Sequence, residues 1–514
     1  MSPNASRWIE QHAAFTPDKP ALRFFRKPEA EEVWSYSDLD RRVRGWARGL
    51  KHTLGVGRGD RVAFLGYNHP DLLALLFACA RLGAMLVPLN WRLAPQEHVY
   101  IVRNSGAHVL VLEADFQKHA REIEQAVPEC RCVSLEFEAS GWCSHESLLA
   151  GDGPDDANPN VGLDSPWLVV YTSGTTGRPK GAVLTQEALF WNALNSVHLH
   201  DLSSRDRVLS VLPFFHVGPL NIQTTPALYV GAEVVLTPRF DPGLTLKLVR
   251  EVHPDLLLLV PVTMQALLLH PEWEPSDLSS LRMVITGSSV VPADLIEGFH
   301  RHGVPVGQVY GSTETCPIAA VLRREDAWHP IGSTGKPALH CEVKIAGESG
   351  QAVPPGESGE LWVRGPNVML EYWGDAQATA EAFSEGWFRT GDVGYRDPEG
   401  FITIHDRKKD IIISGGENIY SAELEAILRD HPAVADAAVV ARPDSGWGEV
   451  PVVFLECKPG KSLDTKQVMA MFQNRLARFK HPKDVIFLPA LPRNTMGKVL
   501  KYELRQQAQH RAAE

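Results

Sequence analysis

Short apolar runs followed by helix-like segments recur along most of the chain. The apolar run at residues 168–171 leads through a glycine-rich loop into a helical pattern at 186–197. Residues 256–260 and 283–286 are apolar runs of the same kind, each followed by a helical pattern. Because strands that alternate with helices assemble into parallel sheets covered by helices, we predict an α/β fold with stacked, mainly parallel sheets.

The pattern changes after Gly359, where short strands and turn-rich pieces replace the longer helices. A charged segment at 406–410 (DRKKD) precedes a new strand. Beyond it the pattern predicts helix 421–430, strands 434–440 and 451–457, and helix 463–478. These elements suffice for a small α+β domain of about a hundred residues. We therefore predict two domains, residues 1–407 and 408–514, and the charged segment between them is interpreted equally as a solvated turn or a hinge.

Composition excludes several classes of protein. The 514 residues are too many for one hydrophobic core, and 44% hydrophobic residues are typical of a globular protein. A net charge of −11 argues against nucleic acid as a partner, because phosphate contacts require a basic face. Apolar stretches 72–89 and 256–269 are interrupted by Arg81 and Pro261, so we expect no transmembrane segment.

The cysteines and the first residues indicate the compartment. Seven cysteines are scattered, and the one cluster (Cys130, Cys132, Cys143) lacks the paired spacing of a zinc site. An odd number of isolated thiols suits a reducing compartment, and the first residues do not have the pattern of a signal peptide. We therefore expect a cytoplasmic protein.

The strongest local signal is the loop at 171–181 (YTSGTTGRPKG). Its glycines allow backbone amides to converge on an anion, its hydroxyls add donors, and Lys180 adds positive charge. A flexible surface loop is the alternative, but this dense alternation favours phosphate binding. Pro179 precedes the lysine where a Walker loop has glycine, so a P-loop NTPase is disfavoured.

The loop resembles the phosphate-binding signature of the adenylate-forming superfamily, which comprises acyl-CoA synthetases, luciferases and peptide-synthetase adenylation domains. Further segments of that family follow in order, at 213–217 (PFFHV), 310–315 (YGSTET), 387–392 (WFRTGD), 406–410 with 414–418 (SGGEN), and 492–498 (PRNTMGK). The resemblance extends over nearly the whole chain. It implies an ATP-dependent acyl-CoA synthetase with a large N-terminal α/β region and a small, mobile C-terminal lid that carries the catalytic lysine.

The resemblance assigns ATP and magnesium contacts. Tyr310 is expected to stack on adenine, which an aromatic face allows, and a tyrosine that ends a core strand is a compatible reading. Asp392 is expected to accept both ribose hydroxyls. Glu314, with Thr175 or Thr176, is expected to hold Mg²⁺, although a glutamate in a turn is more often only solvated. The remaining expected nucleotide contacts are Thr172, Ser173, Gly174, Gly177, Lys180, Gly287, Ser288, Ser289, Gly311, Ser312, Thr313 and Arg407.

Lys498, His216 and Glu314 are the expected catalytic residues. By resemblance, Lys498 holds the acid's carboxylate against the α-phosphate of ATP, although composition alone suggests a surface lysine. This step needs no general base, because a carboxylic acid is already ionised at pH 7. His216 is expected to line the acyl tunnel and orient the carboxylate; its alternative is a buried core histidine.

The second half-reaction transfers the acyl group to the thiol of coenzyme A. In the family the small domain rotates about a hinge between the two steps. The matching hinge position here is Lys409. The segment expected to enter the site for the thiol step contains Ser414, Gly415, Gly416 and Glu417.

The predicted substrate is a neutral, largely apolar acid, either a medium- or long-chain fatty acid or an aryl acid such as a hydroxycinnamate. By resemblance the acyl tunnel is lined by His216, Gly218, Leu220 and Asn221 on one side, and by 286–289, 309–312, Pro317 and Ile318 on the other. None of these residues is a cation, so a dicarboxylate should bind poorly. Asn221 either meets a polar substituent such as a phenol or faces the helix or solvent.

Two rival functions remain at this stage. A stand-alone adenylation domain that loads a carrier protein would need an acid in the pocket to hold an amino group, and residues 214–221 contain none. A non-catalytic nucleotide-binding homologue would not need Lys498, Glu314 and Asp392, which are all present. The sequence leaves the oligomeric state open, a homodimer included.

Overall fold

The computed structural model describes residues 4–5, 7–151, 153, 157–172, 179–288, 291–328, 332–414, 417–444, 447–473, 475–476, 478–494 and 497–513, with the side chains of 409, 417, 418, 479, 510, 512 and 513 excepted. The chain divides into two compact units. Unit 1 comprises Met1–Val343 and Val363–Phe388, and unit 2 comprises Lys344–Trp362 and Arg389–Glu514. The predicted boundary after Arg407 lies inside unit 2, and as a hinge position it stays a prediction.

Helices form where the sequence supplies both an apolar face and an N-terminal cap. Thr185, for example, accepts a hydrogen bond from the amide of Ala188 and starts a 15-residue helix. The α-helices of the described residues are α1 (Arg7–Phe15), α2 (Tyr36–Arg48), α3 (Pro70–Leu82), α4 (Pro95–Ser105), α5 (Gln117–Ala126), α6 (His145–Leu149), α7 (Gln186–His200), α8 (Val217–Pro219), α9 (Thr225–Val230), α10 (Pro242–Val252), α11 (Pro261–Leu268), α12 (Ala293–Arg301), α13 (Ala376–Ala382), α14 (Ser421–Arg429), α15 (Thr465–Ala470) and α16 (Lys501–Ala513).

Strands form mostly from apolar runs. Those of the described residues are β1 (Pro20–Lys27), β2 (Ala30–Ser35), β3 (Arg61–Leu65), β4 (Met85–Pro88), β5 (Val109–Glu113), β6 (Arg131–Leu135), β7 (Cys143–Ser144), β8 (Pro166–Thr172), β9 (Lys180–Thr185), β10 (Arg207–Ser210), β11 (Glu233–Leu236), β12 (Leu256–Leu258), β13 (Met283–Gly287), β14 (Val306–Tyr310), β15 (Ala320–Leu322), β16 (Lys336–Pro337), β17 (Glu342–Ala346), β18 (Gly359–Arg364), β19 (Glu371–Tyr372), β20 (Phe383–Ser384), β21 (Trp387–Arg396), β22 (Ile402–Arg407), β23 (Ile412–Ser414), β24 (Glu417–Ile419), β25 (Val434–Asp444), β26 (Gly448–Cys457) and β27 (Asp484–Phe487).

Two large sheets build unit 1. One has nine strands in the order β16-β15-β14-β13-β12-β10-β11-β1-β2, and the other has eight in the order β19-β9-β8-β4-β3-β5-β6-β7. The central pairs of both are parallel, and the antiparallel pairs lie towards the edges. Parallel strands are covered on both faces, which explains why β4, β11 and β12 are buried throughout. The predicted α/β fold with mainly parallel sheets is confirmed.

Unit 2 contains a smaller sheet in the order β24-β23-β26-β25, with β27 beside β26. Its core includes Leu424 and Leu428 of α14, which pack against the sheet residues Val439 and Val453. The small α+β domain is therefore present. The predicted helix 463–478 is wrong in extent, because α15 ends at Ala470. Phe472 is fully buried beyond that end, so the apolar spacing there reflects packing rather than a continuing helix.

No helix in the described part of the chain is long and apolar enough to cross a bilayer.

Candidate active site

The phosphate-binding loop is framed by two antiparallel strands of unit 1. Thr172 ends β8 and lies opposite Lys180, which begins β9. The Thr172 hydroxyl donates to the Lys180 carbonyl at 3.4 Å, so the strands close the base of the loop. Ser173, Gly174, Thr175, Thr176 and Gly177 lie outside the described residues, and their phosphate and metal roles stay predictions.

The expected adenine-binding segments lie at the carboxyl ends of two adjacent parallel strands. Gly287 ends β13 and pairs with Val309 of β14, immediately before Tyr310. A Cβ at Gly287 would collide with the Val309 carbonyl, and one at Gly311 would collide with that of Pro317. Both glycines are therefore required by a close approach of backbone. The ends of parallel strands are where open α/β sheets bind ligands.

Ser288 follows Gly287 with φ of 72°, in the left-handed region that a serine rarely adopts. Such backbone outliers cluster at functional sites. Ser289 lies outside the described residues. The Ser312 hydroxyl oxygen is buried and has no hydrogen-bond partner among the described residues, so this segment keeps an unused polar group beside the strand ends.

Glu314 lies in a short 3-10 turn, Thr313–Thr315, that follows this segment. The Ser312 amide donates to the Thr315 hydroxyl at 2.9 Å and fixes the turn. The hydroxyl of Tyr372 donates to Oε1 of Glu314 at 2.8 Å. The Lys180 ammonium lies 5.3 Å from the centroid of the same tyrosine ring. Tyr372 thus brings the loop lysine and the expected metal ligand close together.

Buried amides hold the chain just beyond Glu314. Asn367 is fully buried and donates to the carbonyls of Thr315 and Ile318 at 2.6 and 2.9 Å. The side chain of Asn192 accepts from the Ile318 amide at 3.1 Å. Sequence reasoning missed both asparagines. An isolated asparagine has no periodic signal, and only its burial in the folded chain reveals the role.

His216 is the N-cap residue that precedes the short helix α8. Burial, with a smaller contribution from the positive charge of Arg92, lowers the pKa of the imidazole to about 3. Its Nε2 is buried and has no hydrogen-bond partner among the described residues. His216 is therefore neutral at pH 7 and offers one unused hydrogen-bonding atom. A core histidine with satisfied nitrogens, the alternative reading, does not fit this geometry.

An aromatic cluster adjoins His216. The ring of Phe215 lies 4.4 Å from the imidazole and 6.1 Å from the ring of Trp91, at an edge-to-face angle with the latter. The guanidinium of Arg92 stacks over Trp91 at 4.7 Å. Arg92 was not among the predicted tunnel residues, and it places a cation within electrostatic reach of His216.

Asn68 fixes the loop that presents His216. Its side-chain oxygen accepts from the Phe214 amide at 2.9 Å, and its amide donates to the Leu212 carbonyl at 2.9 Å and the Thr237 carbonyl at 3.2 Å. The side chain is 2% exposed. These hydrogen bonds join residues at least 144 positions apart in the sequence, so no local sequence pattern could predict them.

Of the residues after His216, Gly218 has open space beside it and Asn221 is packed within the protein. A Cβ at Gly218 would meet only the Ile222 side chain, at 3.7 Å, so space remains beside this glycine. Asn221 is fully buried, and its amide group bonds to Cys316 Sγ at 3.6 Å and the Thr225 hydroxyl at 3.1 Å. The structure favours the reading in which Asn221 faces the protein and not a substrate substituent.

In unit 2, Asp392 and Arg407 are neighbours on paired strands. The Arg407 Nε lies 3.0 Å from Asp392 Oδ1. The Asp392 amide donates to the Thr390 hydroxyl at 3.0 Å, which orients the residue. The two residues predicted to contact ribose and phosphate are therefore brought together.

The other predicted residues of unit 2 lie in three separate segments. Lys409 belongs to a 3-10 turn, Lys408–Asp410, and only its backbone is described. Ser414 ends β23 and pairs with Glu417, which begins β24. Gly415 and Gly416 lie outside the described residues. Lys498 is exposed, and its amide donates to the Asn494 side chain at 2.9 Å.

Sequence reasoning also missed Lys501, which anchors the charged segment of unit 2. Its ammonium lies 2.8 Å from Glu425 Oε1 and donates to the Ser421 hydroxyl, which in turn donates to Asp406. Burial lowers the pKa of Lys501, but Glu425, Asp406 and Asp410 outweigh it, so the pKa is raised overall. The lysine is therefore charged in a buried site.

Comparison with known families agrees with this arrangement. Residues 9–373 match the family model described as AMP-binding enzyme, and residues 423–498 match the AMP-binding enzyme C-terminal domain. An indoleacetate–CoA ligase of Aromatoleum aromaticum is 49% identical, over 98% of this chain and 97% of that protein. A feruloyl-CoA synthase of Amycolatopsis sp. is 42% identical, over 97% and 98%.

The fold likeness extends to a solved structure with a reaction intermediate. The o-succinylbenzoate CoA synthetase of Bacillus subtilis, in complex with its acyl-adenylate, superposes with a TM-score of 0.87. It is 32% identical, and the match covers 98% of each chain. The chain belongs to the AMP-binding enzyme family and is an AMP-forming acid–CoA ligase of the adenylate-forming superfamily.

Proposed function

We propose that the acid is an aryl acid in which a short linker separates the ring from the carboxylate, as in an arylacetate or an arylpropenoate. The observation that carries this proposal is the environment of His216. An aromatic ring at 4.4 Å flanks its neutral imidazole, and Gly218 leaves space two residues further on.

This environment suits a flat, uncharged ring. Aromatic pairs with edge-to-face or offset geometry contribute about 1 kcal/mol beyond the apolar area they bury. Phe215 and Trp91 already show such an edge-to-face arrangement, with Phe215 6% exposed. The charge of Arg92 lies within electrostatic reach of His216, whereas a second carboxylate deep in the pocket would have to be buried.

The names of the relatives also support an aryl acid as the substrate. The two reported relatives, at 49% and 42% identity, are named for indoleacetate and ferulate, both aryl acids. These names describe those two proteins, and the substrate of this chain is to be measured directly. A medium- or long-chain fatty acid, the other class predicted from the sequence, is therefore included in the test below.

In the first half-reaction a carboxylate oxygen bonds to the α-phosphorus of ATP, the bond to the bridging oxygen breaks, and pyrophosphate leaves. We assign Lys498 to hold the two repelling anions together, because a long flexible cation suits that task. The neutral imidazole of His216 forms a hydrogen bond with the acid. Asp392 and Arg407, already paired at 3.0 Å, hold the ribose and phosphate.

Magnesium fits the donors that the structure describes. Mg²⁺ prefers one or two carboxylates together with phosphate oxygens and water. Glu314 supplies one carboxylate, held on one oxygen by Tyr372. Across the described ranges, no group of three or more His, Cys, Asp or Glu side chains is gathered as an all-protein cage. When bound, the ion would neutralise phosphate charge, and Glu314 with Thr175 or Thr176 would hold it.

In the second half-reaction the thiol sulfur of coenzyme A attacks the acyl carbon and releases its proton to solvent, and AMP leaves with the electron pair of the broken C–O bond. We assign the segment 414–417 to this step, with Lys409 as the hinge. All seven cysteines are free thiols, in keeping with the reducing cytoplasm that we propose as the location.

A substrate panel tests the proposal. We expect kcat/KM with CoA, measured by AMP release, to be highest for indoleacetate or 4-coumarate, and lower for octanoate, palmitate, acetate and malonate. Missing methylenes cost about 0.8 kcal/mol each, so acetate should be among the weakest. A clear preference for palmitate, acetate or malonate would refute the aryl assignment.

Gly218→Val supplies a matched probe of the pocket. The new methyl groups would fill the space beside Ile222, so activity with aryl acids should fall while activity with acetate is kept. If both substrates lose activity equally, the space beside Gly218 is not part of the acyl pocket.

A further inference from the structure

We infer that Tyr372 is a positioning residue that sets Glu314 and Lys180 for the phosphates of ATP and their magnesium ion. The inference rests on the proposed metal role of Glu314. Tyr372 belongs to none of the motif segments that carry the family resemblance, and it lies on the short edge strand β19.

Two contacts on opposite parts of one side chain carry the inference. The hydroxyl donates to Glu314 Oε1 at 2.8 Å, and the ring lies 5.3 Å from Lys180 Nζ. One side chain therefore contacts both a cationic and an anionic residue of the expected nucleotide site.

The backbone around Tyr372 is fixed at both ends. The Met369 amide donates to the Glu314 carbonyl at 2.7 Å. The Trp373 amide donates to the Gly181 carbonyl at 2.7 Å, next to Lys180. Tyr372 itself pairs with Ala182 in the sheet. The ring is thus located relative to both charged residues by main-chain hydrogen bonds, and not by the side-chain contacts alone.

The two contacts have different consequences for the ligand. A hydroxyl donated to Oε1 orients the carboxylate and leaves Oε2 for a metal ion. The ring face holds the ammonium without neutralising it, so its charge stays available for a phosphate. Loss of the hydroxyl should therefore affect the metal complex, and loss of the ring should affect phosphate binding itself.

The test compares Tyr372→Phe with Tyr372→Leu by calorimetry, using ATP with excess Mg²⁺ and ATP with EDTA. We expect Tyr372→Phe to weaken binding of Mg–ATP about tenfold, the size of one hydrogen bond to a charged acceptor, and to leave binding of metal-free ATP unchanged. Tyr372→Leu should weaken both. The KM for the acid should not change in either variant.

Tyr229→Phe is the matched control, because it removes a tyrosine hydroxyl from unit 1 at a distance from these residues in the fold; its ring packs on Trp8 and Phe190. The inference is overturned if Tyr372→Phe binds Mg–ATP like the parent, or if it weakens binding equally with and without Mg²⁺. If no aryl acid is a substrate but the contrast between the two nucleotide forms remains, the substrate proposal fails and the role of Tyr372 stands.

Discussion

The residues expected to act in this enzyme are held in three different ways. Tyr310 and Gly311 owe their positions to the strand that precedes them and to a close backbone approach that excludes a Cβ. His216 depends on a distant residue, because Asn68 holds the loop before it. Lys498 is exposed. Its backbone amide donates to the side chain of Asn494, and its carbonyl accepts from the Asn494 amide.

We expect Lys498→Ala to abolish formation of the acyl-adenylate and to leave thiolysis of supplied acyl-adenylate largely intact. The reason is that the charge is needed only while two anions are brought together, and its loss should cost about 3 kcal/mol or more in the first step. ATP–pyrophosphate exchange measures that step. Lys461→Ala, in another exposed turn, should leave both steps unchanged, and equal loss of both steps in Lys498→Ala would contradict the assignment.

Among the structural elements, the charged segment at 406–410 is held by contacts of its two aspartates. Asp406 accepts from Ser421 at the start of α14, and Asp410 pairs with Arg505 of α16. Burial raises the pKa of Asp406, against the effect of nearby Lys501. The segment is therefore anchored at both aspartates, and its interpretation as a solvated turn or a hinge stays a prediction.

Lys409 lies between these two anchored aspartates. We expect Lys409→Pro to leave adenylation intact and to block thioester synthesis, because proline fixes φ near −65° and denies a hinge its second conformation. Lys409→Ala is the matched control, since it removes the side chain and keeps the backbone free. Thioester synthesis at the parent rate in Lys409→Pro would show that the pivot lies elsewhere.

For the whole molecule, buried neutral histidines make stability depend on pH. Burial lowers the pKa of His98 and of His200 to about 4, from an ordinary value of 6.5. Above pH 6.5 neither the folded nor the unfolded chain protonates them. As the pH falls from 6.5 towards 4, these histidines bind protons in the unfolded chain but not in the folded chain, so the free energy of unfolding decreases.

We expect the free energy of unfolding to fall on acidification with a contribution of about 1.4 kcal/mol per pH unit from each of these histidines. Urea unfolding followed by tryptophan fluorescence at about pH 7 and about pH 5 measures the slope. His200→Gln should reduce the pH dependence of the free energy of unfolding by the contribution of one histidine. His52→Gln, at an exposed position, is the control and should leave that pH dependence unchanged. An unchanged slope in His200→Gln would contradict the linkage.

The sequence by itself determined the fold class and most of the expected site. Alternating strands and helices were predictable because apolar periodicity and caps act within a few residues, as in β13 and α12. The segments around Lys180, Tyr310–Glu314 and Asp392 were found as contiguous motifs. Periodicity failed beyond Ala470, where Phe472 is buried by a turn rather than a helix, because spacing reports burial and not continuity.

Tertiary structure alone decided which distant side chains complete that site. Tyr372 reaches Glu314 across 58 residues, Asn68 reaches Phe214 across 146, and Lys501 reaches Ser421 across 80. Such contacts leave no periodic or turn signal in the chain, since each residue type is ordinary in its local context. They exist because the sheets and helices, once packed, bring these groups within hydrogen-bond distance, and a buried polar group without a partner would cost about 1–3 kcal/mol.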